Sequence, residues 1–226
     1  MSESLPLDPE PARRPDRILV FLHDMADTPL TWQDQVGALP EGWRPLTPWL
    51  RGMKPIDKED FDLQAAADAL SVIPLEHGVE SFAICGVGLG AAVALRCAAD
   101  SPGVVSGLVL VNPLVAPPGP VLKMQRAALK MTPRSRLSAQ NVDKDHLLAA
   151  MDMLATLDLG EAPEQVECPT LVVASSDQPA TRKVADDLVA RMRVATATDL
   201  PGFPQHQADP AAFNEAIGTF LAMLGE

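Results

Sequence analysis

The stretch that most constrains this chain is Phe82-Ala-Ile-Cys-Gly-Val-Gly-Leu-Gly90, which runs straight into Ala91-Ala-Val-Ala-Leu-Arg-Cys-Ala-Ala-Asp100. The apolar residues read as a buried strand. Glycines at 86, 88 and 90 read as a turn with little room for side chains. The small residues after it read as a helix lying close to that strand. A strand that turns directly into a helix is the repeating unit of an α/β fold.

The rest of the chain repeats the pattern. Further strands are expected at Ile18–Leu22, Arg44–Thr47, Leu108–Val111, Thr170–Ala174 and Val194–Leu200. Helices are expected around Thr31–Leu39, from Asp60 to Leu70 and beyond, and over Pro179–Met192 and Pro210–Leu224, where Pro210 suits a first helical turn. Apolar, β-branched runs alternating with helices predict a mostly parallel sheet of about six strands, flanked by helices. Residues 114–166 interrupt the alternation with two amphipathic helices, Val121–Met131 and Lys144–Leu157, parted by Thr132-Pro133. Residues 1–16 are rich in proline and acid and lack the apolar run of a signal peptide, so they read as a flexible tail. The expected organisation is a core of residues 17–113 and 167–226 and an insert of 114–166.

Composition matters where it excludes functions. At 226 residues and 47% hydrophobic, the chain can bury a core without disulfides or metal. Cys85, Cys97 and Cys168 have no metal-site or redox spacing and read as buried small hydrophobes, which suits a reducing, cytoplasmic setting. No apolar run approaches the roughly 20 residues that span a bilayer. The net charge of −12 argues against a nucleic-acid binder. Locally the sign reverses: Lys123, Arg126, Lys130, Arg134 and Arg136 occur with no acid between Val121 and Arg136. This segment is either a solvated face or a contact for an anionic partner, lipid surface or ligand.

Four segments, in order, resemble the α/β-hydrolase family. Ile18-Leu-Val-Phe-Leu-His23-Asp24 is similar to its first strand and His-Gly loop, with Asp24 in place of the glycine. Gly86-Val-Gly88-Leu-Gly90 resembles the Gly-x-Ser-x-Gly nucleophile elbow, with Gly88 at the serine position. Cys168 to Asp177 resembles the strand leading to the triad acid, mapping that acid onto Asp177. Gly202-Phe-Pro-Gln-His-Gln-Ala-Asp-Pro-Ala-Ala-Phe213 is similar to the family's last segment and puts Phe203 at the catalytic histidine. A fifth stretch, Arg44 to Gly52, has Trp49 where an aspartate is usual. The resemblance implies the α/β-hydrolase fold, with 114–166 as a small helical cap over the site.

It also implies a degenerate triad. Glycine has no attacking oxygen, and phenylalanine neither accepts nor donates a proton. Loss of the nucleophile alone removes nearly all the effect of a triad, so losing the histidine as well is coherent. The expectation is a non-catalytic member that uses the former cleft and the basic cap to bind a small acyl-like ligand or a protein. Cleft candidates are His23, Asp24, Met25, Gly88, Leu89, Asp177, Phe203 and His206. The backbone N–H groups of Met25 and Leu89 map onto the oxyanion donors, available to a ligand's carboxylate or carbonyl. An Asp24 side chain turned inward would oppose an oxyanion.

The alternative is a hydrolase or lyase of non-serine chemistry, with Asp177, Asp24 or water as base. His206 as a replacement histidine and Cys85 as a nucleophile are weaker variants of it. Gly86-x-Gly88-x-x-Ala91 also matches a dinucleotide-binding fingerprint, but a lone glycine match at the third strand carries little weight. No cofactor and no metal are expected.

Overall fold

Ile18, Val20 and Leu22 pack into one hydrophobic cluster and Leu19 and Phe21 into another, and all five are fully buried. That is the pattern of a strand covered on both faces, as parallel sheets are. The computed structural model describes residues 17–113 and 119–225. The expected tail, 1–16, and the first residues of the insert, 114–118, lie outside the described residues.

The strands are β1 (Arg17–Leu22), β2 (Trp43–Leu46), β3 (Phe82–Val87), β4 (Val105–Val111), β5 (Thr170–Ser175) and β6 (Ala195–Leu200). They form one sheet in the order β2-β1-β3-β4-β5-β6, parallel throughout. The helices are α1 (Gln33–Gly37), α2 (Leu63–Asp68), α3 (Ile73–His77), α4 (Leu89–Asp100), α5 (Gly119–Met131), α6 (Arg134–Ser138), α7 (Lys144–Leu154), α8 (Ala162–Gln165), α9 (Pro179–Arg191), α10 (Gln205–Ala208) and α11 (Pro210–Met223). The fold is the α/β-hydrolase fold expected from the sequence, with six strands flanked by helices.

One cluster joins the sheet to α2, α4, α7, α8 and α9 through Ala66, Leu95, Ala150, Ala162 and Ala185. The opposite cluster sets Leu19, Phe21 and Cys85 against Trp32 and the α11 residues Phe213, Ile217 and Phe220. Half of the ten buried residues of α4 are alanine and one is glycine, small side chains that let the helix lie close to the sheet.

The expected helix from Asp60 onward is two helices. Asp62 caps α2 by accepting the Ala65 N–H at 2.7 Å. Pro74 lacks the N–H that a helix interior uses, so it stands in the first turn of a new helix, α3. In the insert, α7 ends at Leu154 rather than Leu157, and the short α6 fills the break after Pro133.

Candidate functional site

Strands β1 and β3 are neighbours, but the chain leaves them toward opposite edges of the sheet. Such a switch point opens a crevice beyond the carboxyl ends of the strands, where ligands of open α/β sheets bind. The residues after β1 bring His23, Asp24 and Met25 there, and those after β3 bring Gly88 and Leu89.

Gly88 holds φ +54° and ψ −114°, backbone that side chains rarely adopt. Around it the packing is close: a Cβ on Gly90 would lie 2.7 Å from the His23 carbonyl oxygen. The strand–turn–helix read from the sequence is therefore present, and glycine suits its centre.

Asp24 points into this turn. Its Oδ1 accepts the backbone N–H of Leu89 at 2.8 Å and that of Met25 at 2.8 Å. These are the two N–H groups expected to receive a ligand. That expectation is corrected: the chain supplies its own carboxylate to both. A Cβ on Gly88 would fall inside the same carboxylate, 2.7 Å from Oδ2 and closer to its other atoms. Burial pushes the Asp24 carboxyl above the usual carboxylate range, opposed by the bonds from Leu89 and Met25.

A cleft of about 120 Å³ lies beside this arrangement, lined by Asp24, Asp27, Val87, Gly88, Asn112, Phe203 and Pro204. Residues 88 and 203, far apart in the chain, thus border one space. Burial raises the Asp27 carboxyl as well, and the neighbouring Asp24 charge adds to the rise. Both features disfavour an anion in the cleft. Phe203 is 53% exposed, so it lines the cleft more than it packs the core. Replacing it with alanine is expected to change stability by less than about 0.5 kcal/mol, measured by urea unfolding.

Asp177 is exposed beyond β5 and does not border the cleft. Its Oδ2 accepts the Gly202 N–H at 2.7 Å, so it braces the loop that carries Phe203. Ser175 Oγ strengthens that brace by donating to the Gly202 carbonyl at 2.8 Å.

Two histidines expected at the cleft are core residues instead. His206 is fully buried, stacked on Trp32 with ring centroids 4.3 Å apart, and Nε2 lies 3.0 Å from Thr31 Oγ1. It cannot swing into the cleft without opening that stack. His23 is equally buried: Nδ1 donates to the Asp24 carbonyl at 2.7 Å, and Nε2 accepts the Leu50 N–H at 3.2 Å. Both ring nitrogens are occupied, and the Nε2 bond ties the loop after β1 to the loop after β2. Burial lowers each imidazole pKa to about 4. Cys85 is also excluded as a nucleophile, since burial pushes its thiol well up and a thiolate is the reactive form.

Asn112, Gln205 and Asp27 were not picked out from the sequence. Asn112 sits at φ +42°, and its Nδ2 donates to Gln205 Oε1 at 2.5 Å while Gln205 Nε2 donates to Asn112 Oδ1 at 3.0 Å. This buried amide pair ties the end of β4 to the Phe203 loop. Its only sequence signal was an Asn-Pro closing a strand.

The five insert cations do not form one positive face. Arg126 pairs with Asp152 at 2.5 Å and Arg134 with Asp145 at 2.7 Å. Among the described residues Lys123, Lys130 and Arg136 have no such partner.

A larger hollow, about 340 Å³, lies between the loop after β2 and helices α2 and α3, with Trp49, Leu50, Ala66 and Leu70 among its walls. None of the expected site residues borders it, so the candidate site is the smaller cleft. Among the described residues no three His, Cys, Asp or Glu side chains are grouped to hold a metal ion. No helix there is long and apolar enough to cross a membrane.

Residues 19–216 match the model of the alpha/beta hydrolase family. The fold is similar to MenH from S. aureus, with TM-score 0.79 at 15% identity over 94% of this chain and 96% of that one. A structure from work on carboxylesterases of the thaumarchaeon Nitrososphaera gargenis matches with TM-score 0.80 at 16% identity over 93% and 91%. The enol-lactonase from Burkholderia xenovorans LB400 matches with TM-score 0.74 at 16% identity over 91% of each chain. No curated protein sequence matches the chain.

Proposed function

The chain belongs to the α/β hydrolase family, and from that premise we propose that it is a non-catalytic member, a binding protein on a hydrolase scaffold. The observation that carries this reading is the Asp24 carboxylate seated on the Leu89 and Met25 N–H groups. Acyl transfer needs those donors free for the charge that develops on the substrate oxygen, and losing one costs about 10²–10³ in rate. Here a negative charge takes both, and no nucleophile stands at Gly88. A brace such as Asp177, holding a loop that ends in Phe203, has no imidazole to orient.

The same carboxylate narrows what is bound. A cleft with Asp24 and Asp27 on its wall repels a carboxylate or an oxyanion, so an acyl-like ligand fits it poorly and a protein partner fits the chain better. Three free cysteines agree with a reducing compartment, and we place the protein in the cytoplasm.

A fluorophosphonate probe and p-nitrophenyl acetate test the reading. The pure protein is expected to remain unlabelled and to leave the ester at its buffer rate. Turnover lost on mutating the cleft would overturn it.

One observation favours the second reading: Asp24 and Asp27 are carboxylates of raised pKa facing a cleft, as a general base requires. Turnover that disappears in Asp27→Asn, with unchanged melting temperature, would establish that reading instead.

A further inference from the structure

Helix α5 carries its apolar residues on two opposite faces. Leu122 is buried and Leu129 half-buried against the body of the protein. Met124, Ala127, Ala128 and Met131 follow the spacing i, i+3, i+4, i+7 and lie on the other side, exposed. Met124 is 66% and Met131 85% exposed, and among the described residues nothing covers them. A solvated helix ordinarily turns charged or polar residues outward along that line. Lys123 and Lys130, one heptad apart, border the stripe on one side, and both are exposed. No Asp or Glu occurs anywhere from residue 101 to residue 142. The helix is held firmly, since Arg126 reaches Asp152 on α7 and Lys144 Nζ donates to the carbonyls of Lys130 and Thr132, both at 2.7 Å.

We infer that the outer face of α5 docks an acidic amphipathic helix of a partner protein. Two alanines flanked by methionines one heptad apart make a shallow seam that admits a second helix closely, and methionine adapts to the side chains it meets. The lysine edge selects acidic residues on one flank of the partner, as charges beside a coiled-coil seam do. A second copy of this chain is a poor occupant, because an antiparallel pair would set lysine edge against lysine edge. An anionic bilayer is a poor one too: the stripe has none of the Trp, Phe or Leu that anchors interfacial helices. None of the stripe residues lines the cleft, so the inference stands whether or not the cleft performs chemistry.

The test uses the full chain and two fluorescent peptides of about three heptads, both with leucine along the seam. One has glutamate on its flanks and the other lysine. Fluorescence anisotropy is expected to show micromolar binding of the glutamate peptide and at least about tenfold weaker binding of the lysine peptide. Met131→Glu should weaken the first about tenfold, and Lys123→Glu with Lys130→Glu should reverse the preference. These positions are exposed, so the variants should melt with the wild type. Binding of neither peptide, binding indifferent to these substitutions, co-sedimentation with phosphatidylglycerol vesicles in place of peptide binding, or dimerisation lost in Met131→Glu would each overturn the proposal.

Discussion

Gly88→Ser with Phe203→His is expected to leave the protein inert, and adding Asp24→Gly is expected to make it an esterase. The argument is steric first. Position 88 admits a Cβ only where the Asp24 carboxylate now lies, so in the double variant the serine and Asp24 compete for one volume. The argument is then electrostatic. While Oδ1 holds the Leu89 and Met25 N–H groups, no donor remains for the oxygen of a tetrahedral intermediate, and the carboxylate charge opposes it. Glycine at 24 removes the obstruction and frees both donors. Residues 88 and 203 both line the cleft, and Asp177 accepts the Gly202 N–H next to 203, which are the positions the proposed reading assigns to a triad. The triple variant is expected to react with a fluorophosphonate and to hydrolyse p-nitrophenyl acetate at least about 10²-fold faster than the double variant. Equal rates in the two would show that Asp24 is not the obstacle.

What the sequence reveals here, and what it hides, follows from the range of the interactions. The strands were legible because burial on both faces demands continuous apolar runs, as in Ile18–Leu22 and Phe82–Cys85. The elbow was legible because three glycines at alternate positions leave few other structures. Family resemblance maps Gly88 and Phe203 to one site, and both are among the residues lining the cleft. Asp24 was seen as a charge near the pocket, but its direction depends on two N–H groups, one of them 65 positions away along the chain. The stacking of His206 on Trp32 is invisible to spacing. The neutralisation of Arg126 and Arg134 by Asp152 and Asp145 is hidden from the local charge pattern because both acids lie on the next long helix. Local pattern fixed the elements; the partners of polar side chains had to come from the fold.

The same buried histidines give the largest expected response to acid. In the unfolded chain they titrate near 6.5, whereas burial holds His23 and His206 neutral down to about pH 4. With the folded pKa depressed, the unfolded state binds more protons below pH 6.5. Stability is therefore complete above that pH and is lost as pH falls, until the folded histidines protonate near pH 4. The displacement corresponds to about 3 kcal/mol for each ring. Asp24 and Asp27 act in the opposite direction, because their raised pKa means they stabilise the fold more as they become protonated. The wild-type profile thus contains a partial cancellation, and a difference between variants isolates one ring. His206→Gln keeps a polar group near Thr31 Oγ1 but does not titrate. It is expected to lower stability at about pH 7.5 by 1–2 kcal/mol through loss of the Trp32 stack. At about pH 4.5 the same variant should equal or exceed the wild type, since it no longer binds the acid-induced proton in the unfolded state. Urea midpoints measured across this range decide the matter: a gap between the two proteins that stays constant with pH would mean that His206 titrates in the folded protein as it does in the unfolded chain.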